Sequence, residues 1–331
     1  MSITLVRRPL PAVLAAAALA VCGLISGCSA SDHAPGDGRP SSRAAGPRSS
    51  SAQLPDGISP MGAEHPVAAG AWALKVQGFE RLPAGAAASQ APAGWSLYAA
   101  RLTVTNQRSQ IATAPRTELT ARFGALGRQA KPEDATTRQP GDDEPVRVRP
   151  NGSVTTQIAF AFPAEAGGQR VTVTAETTPE GLAEPELLFF EGALPGRATV
   201  AASETPQAAG PLRTGSTPLG QWHAGSLRLS TVSVTGSGTM RTAELDLSVA
   251  NRGADPMTGF GTTLRVFTGQ DLHLAATIHP VYGYPDAAIA PHRTATQTVA
   301  FRIPQSAVGG LVTIEAVGTD GARVPFEGRL G

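Results

Sequence analysis

Six histidines are the side chains here best suited to chemistry, and their spacing argues against it. His33, His65, His223, His273, His279 and His292 are scattered, with four of them in the second half. His273 and His279 are six residues apart, so on a regular strand they would share a face about 20 Å apart, too far for one ion. A soft ion such as Cu(I) wants methionine beside histidine, and Met61, Met240 and Met257 have no such neighbour. No metal site is predicted. The chain has no Gly-x-Ser-x-Gly elbow, no His-Glu-x-x-His pair and no Gly-rich phosphate loop ending in Lys. Lysine occurs only at Lys75 and Lys131, which leaves few amines for a Schiff base. Serines are plentiful, but a nucleophile needs a base and a group to orient it, and no spacing supplies them. We therefore expect no catalytic residues, no cofactor and no enzyme.

Two loops carry a different kind of signal, that of a binding surface. Each precedes a Pro-led strand. The first runs from Lys131 through Asp142-Asp143-Glu144; it is polar and acidic, with no calcium-loop spacing. The second is His279-Pro280-Val281-Tyr282-Gly283-Tyr284-Pro285-Asp286. Tyrosines in a Gly/Pro loop present rigid amphipathic surface of the kind found at interface hot spots. His279, Tyr282, Tyr284 and Asp286 are the candidate partner-binding residues, facing a protein or cell-wall partner.

The amino terminus sets the expected compartment. Arg7 and Arg8 precede an uncharged stretch from Leu10 to Ser26, which closes on Ile25-Ser26-Gly27-Cys28. A basic start, a short apolar run and small residues before a cut describe a secretion signal. An aliphatic residue, two small residues and Cys resemble the lipobox of bacterial lipoproteins. That resemblance implies cleavage after Gly27 and a diacylglycerol on Cys28, anchoring the chain on the extracytoplasmic face of the cell membrane. Two acyl chains suffice for stable anchoring, whereas one binds marginally. Cys22 falls in the removed segment, so the mature chain would have no free thiol and no disulfide. Without Arg7 and Arg8 it carries 25 basic and 26 acidic residues, a balance that offers no footprint for nucleic acid.

The elements that position these loops are strands. Gly and Pro fill 65 of 331 positions, which favours short strands joined by turns. The Gly/Pro/Ser-rich stretch after Cys28 predicts a disordered tether over 28–64, with an r.m.s. span of roughly 30–35 Å. The remainder repeats itself. Tyr98, Ala100, Leu102 and Val104 alternate into Asn106, and Ala243, Leu245, Leu247 and Val249 alternate into Asn251, 145 residues later. Pro150 leads a run ending at Phe160-Ala161-Phe162-Pro163, and Pro291 leads one ending at Phe301-Arg302-Ile303-Pro304, 141 residues later. Both copies close on Phe-Glu-Gly, at Phe190-Glu191-Gly192 and Phe326-Glu327-Gly328. Period-two alternation marks strands buried on one face. Pro163 and Pro304 should stop pairing, and Asn106 and Asn251 read as turn residues. The predicted organisation is a signal peptide over 1–27, the tether, a β-sandwich over 65–195, a linker over 196–214 and a second β-sandwich over 215–331.

The order of these motifs, from Trp72-Ala73-Leu74-Lys75-Val76 through the Asn-ended strand and Pro150-Asn151-Gly152-Ser153 to Phe-Glu-Gly, resembles the secreted bacterial immunoglobulin-like modules typified by the mycobacterial immunoprotective extracellular antigen. The resemblance implies an all-β fold of two tandem immunoglobulin-like antiparallel β-sandwiches, exported to the cell surface, and brings no catalytic residues. The leading expectation is a lipid-anchored binding or structural module. The alternative is extracytoplasmic copper handling, since periplasmic-type copper chaperones share a similar sandwich.

Overall fold

The computed structural model describes residues 54–83, 91–132, 146–181, 184–197, 213–258, 261–278, 288–318 and 320–331, and residues 52–331 form one compact unit. The described residues are strands joined by turns, with two short 3-10 turns, Ala164–Ala166 and Gln305–Ala307, and no α-helix. None of their helices is long and apolar enough to cross a membrane. The chain is an all-β protein.

The repeat seen in the sequence is a repeat in space. Trp95–Asn106 pairs antiparallel with Ser153–Pro163, from Thr105 opposite Ser153 to Trp95 opposite Pro163. Met240–Ala250 pairs with Thr294–Pro304 in the corresponding register, from Ala250 opposite Thr294 to Met240 opposite Pro304. Pairing stops at Pro163 and Pro304, where each chain turns into its 3-10 turn. The alternation places Leu102, Val104, Leu245 and Leu247 in cores and leaves Arg101 and Glu244 in solvent.

Each half buries its own core. In the first, Phe162 meets Phe79, Tyr98 and Phe123 edge to face, with Trp72 and Leu74 fully buried beside Val104 and Phe190. In the second, Leu219, Leu245, Ile303, Ile314 and Phe326 are enclosed. A six-stranded sheet lies in the first half and a five-stranded sheet in the second. A ten-stranded sheet runs through both, from Ile58–Pro60 at one edge to Trp222–His223 at the other.

Three expectations need correction. The tether does not extend to residue 64. Ile58–Pro60 is a strand parallel to Phe189–Glu191, Ile58 is buried, and Glu64–Val67 pairs with Trp72–Lys75. A Gly/Pro-rich segment needs only one buried apolar residue and a free sheet edge to be held. Likewise Arg213 and Thr217–Pro218, around the expected end of the linker, are engaged with Glu327 and Phe326. Residues 198–212 lie outside the described residues. Nor are Asn106 and Asn251 left-handed turn residues; both are buried, and their side chains bind the main chain of the loops around them.

The Gly of each Phe-Glu-Gly has a packing reason. A Cβ at Gly328 would lie 2.5 Å from Leu219 Cδ1, and one at Gly192 would lie 2.7 Å from Met61 Sδ. Each Gly lets the preceding parallel segment cross the closing strand. Gly328→Ala is expected to destabilise the unit by about 1–3 kcal/mol through overpacking. Combined with Leu219→Ala it should cost less than the two single changes added, as read in a denaturant double-mutant cycle. Strict additivity would refute the contact.

Candidate functional site at the seam of the two halves

The halves meet along a seam of main-chain, ionic and apolar contacts. Arg128–Gln129 pairs antiparallel with Arg122–Phe123 on one side and contacts Thr296 of the second half in parallel on the other. Thr296 donates its N–H to Gly127 O at 3.1 Å and its hydroxyl to Leu126 O at 2.6 Å. Gly127 has φ +62°, and a Cβ there would overlap the Thr294 carbonyl oxygen. A second contact is ionic. Arg293 Nε donates to Glu191 Oε2 at 2.6 Å and its Nη2 to Oε1 at 3.0 Å, while Thr172 Oγ1 donates to Oε2 at 3.2 Å. A third is apolar, where Ile58 and Phe189 pack with Ala288 and Ala290.

Beside this ion pair lies an enclosed space of about 10 Å³, lined by Arg122, Arg170 and Arg293 among other residues. Burial pushes the Arg122 guanidinium down to about 10, so it remains charged at neutral pH.

On another flank the seam opens into a groove of about 960 Å³. Its first-half wall includes Trp95, Arg128, Lys131 and Glu165; its second-half wall includes Glu244, Asp246, Gln297 and Thr298. Trp95 is half-buried at the start of its strand, and Lys131 Nζ lies 5.0 Å from its ring centre. Arg128 Nη2 reaches across the seam to Asp246 Oδ2 at 3.4 Å, and Thr298 Oγ1 donates to Asp246 Oδ1 at 2.7 Å. Gln297 Oε1 is buried with no hydrogen-bond partner among the described residues.

Gly27, Cys28, His279, Tyr282, Tyr284 and Asp286 lie outside the described residues. The tyrosine loop leaves from Ile278, which packs against the second core, and returns at Ala288-Ile289-Ala290, which is buried at or near the seam. Among the described residues no three His, Cys, Asp or Glu side chains gather as metal ligands. His223 has a structural role, with Nδ1 2.9 Å from Thr217 Oγ1 and its ring edge-on to Phe326. Trp95, Arg128, Asp246 and Gln297 were not singled out by sequence, because the signal that joins them is spatial: Arg128 and Asp246 are 118 residues apart.

Comparison with known protein families gives no match. Nor does any curated protein match the sequence. Among solved structures, a β-sandwich protein of Clostridium difficile 630 matches at 13% identity and TM-score 0.26, over 42% of this chain and 96% of its own. Red sea bream transglutaminase matches at 14% identity and TM-score 0.21, over 76% of this chain and 31% of its own. The CupB6 tip adhesin of Pseudomonas aeruginosa matches at 12% identity and TM-score 0.19, over 78% of this chain and 98% of its own. All three are loose likenesses.

Proposed function

We propose that the chain is a lipid-anchored extracytoplasmic binding protein, tethered through diacylglycerol on Cys28, whose two immunoglobulin-like sandwiches act as one platform for a cell-envelope partner. The observation that carries this reading is the seam. A shared sheet and the buried Glu191–Arg293 pair fix the halves together, and fixed halves can present one groove walled by both. A surface made from two modules needs their relative geometry held before the partner arrives, since preorganisation removes an ordering cost from binding. The lipobox-like Ile25-Ser26-Gly27-Cys28 supports placement at the membrane. The tyrosine loop, returning beside the seam, belongs to the same binding face in this reading.

The test has two arms. Labelled fatty acid should appear on the chain expressed in a bacterial host and vanish in Cys28→Ser. Purified chain in detergent should be retained on isolated cell-envelope material, with retention lost in Gly127→Val, which breaks the seam, and reduced in the Tyr282→Ala/Tyr284→Ala double variant. Absence of label would sink the anchor, and retention unchanged by Gly127→Val would sink the platform.

A further inference from the structure

We infer that the seam groove is a saccharide-binding site, taking a short run of largely uncharged sugar rings. The inference rests on the binding reading above and narrows it to one class of ligand.

The groove's main chain comes first. Arg128 is already matched to Phe123 on one side and Thr296 on the other, and Lys131–Pro132 is matched to Phe160–Ala161. Arg128 therefore has no main-chain edge to offer, whereas Lys131–Pro132 ends its sheet and Gln297-Thr298 pair on one side only. Addition of a peptide strand is the competing mode, and the choice between it and a saccharide falls to the side chains. Their charges come second. Arg128 and Lys131 share the groove with Glu165 on their own wall and Glu244 and Asp246 on the other, and Arg128 is paired with Asp246 at 3.4 Å. Such near balance gives a polyanion no basic track to follow. A wholly apolar ligand would strand those charged groups away from water.

What remains is a ligand that is polar, close to neutral, rich in groups that both donate and accept, and apolar on one face. Sugar rings have these properties. Trp95 supplies an indole against which the C–H face of a pyranose can lie. Gln297 lines the groove, and its carboxamide can both donate to and accept from hydroxyls. Carboxylates on both walls accept from hydroxyls, and the Lys131 ammonium beside Trp95 donates to them. A volume of about 960 Å³ is near the top of the range for small-molecule pockets, enough for more than one ring.

The test titrates the full chain in detergent with tetrasaccharides of β-1,4-linked N-acetylglucosamine, of mannose and of glucose, and with solubilised peptidoglycan strands, by calorimetry. At least one should bind with a micromolar to millimolar Kd. Trp95→Ala should weaken that binding at least tenfold, Trp95→Phe should retain most of it, and Gln297→Ala should weaken it several-fold. Should Trp95→Ala fail to fold, the solvent-facing Glu244→Gln decides in its place, with an expected several-fold loss. No binding to any of the four probes would overturn the inference, as would binding unaffected by these changes. Envelope retention that persists without saccharide binding, or that short peptides compete away, overturns the saccharide class and leaves the binding platform standing. Loss of both retention and saccharide binding removes the two readings together.

Discussion

Arg293→Ala is expected to cost the folded unit about 3–5 kcal/mol and to release the two halves from each other. The Glu191 side chain is 6% exposed and that of Arg293 13%, so neither charge is screened by much water. Removing the guanidinium takes away both of its short hydrogen bonds to a buried carboxylate, which keeps the Thr172 hydroxyl at 3.2 Å and Arg170 at 3.8 Å. The desolvation of Glu191 then loses its main compensation. Replacing both residues with Met should cost much less than Arg293→Ala alone, because it removes the stranded charge as well as its partner. Denaturant unfolding measures the stability change, and small-angle scattering should record a larger radius of gyration in Arg293→Ala. Gly127→Val is the uncharged control. Its added carbons overlap the Thr294 carbonyl, so it should produce the same expansion with both cores intact. An unaltered scattering profile in both variants would mean that the halves are held by something other than this seam.

What could be read from the sequence was whatever repeats locally. The Asn-ended strand and the Pro-led strand are each long enough to show period two, and their second copies lie at constant offsets, so both strand pairs were legible. The short parallel segments were not. Gly57-Ile58-Ser59-Pro60-Met61-Gly62 and Gly215-Ser216-Thr217-Pro218-Leu219-Gly220 share a Gly-x-x-Pro-x-Gly pattern, and both lie along the Phe-Glu-Gly strands. Surrounded by Gly, Pro and Ser, each has too few apolar residues to show a period, and the first was read as tether. The seam left no trace of its own, since a single Gly, a single Thr and one Arg–Glu pair across 102 residues carry no periodicity. The groove depends on the seam and was hidden for the same reason. The Glu of each Phe-Glu-Gly motif is buried and so demands a cation, and the structure supplies Arg293 for Glu191 and Arg213 for Glu327.

Asn251 is the position where the distinction between a turn residue and a clamp can be measured. Its Nδ2 donates to Asp255 O at 2.8 Å, Ile289 O at 2.9 Å and Ala290 O at 3.2 Å, and its Oδ1 accepts from Gly253 N at 2.9 Å. Asn106 does the same in the first half, donating to Gln110 O at 2.8 Å and Val148 O at 2.9 Å and accepting from Arg108 N at 2.9 Å. In each half one amide ties the loop after the first long strand to the end of the loop before the second. These are the acidic loop and the tyrosine loop, so the clamp sets where both of them land. Asn251→Ala strips several buried main-chain groups of their partners, each worth about 1–3 kcal/mol when unsatisfied. The expected loss is about 3 kcal/mol, or a fall in Tm of roughly 5 °C for a unit of this size. Asn251→Asp separates the two roles. Asp replaces Asn readily in a turn, but here it would set carboxylate oxygens against three carbonyl oxygens and have no N–H to give them. It should be at least as destabilising as Asn251→Ala at neutral pH, with part of the loss recovered as the carboxyl gains a proton in mild acid. If Asn251→Asp instead melts with the unmodified chain, the side chain only shapes a turn, and the loop is anchored by its main chain alone.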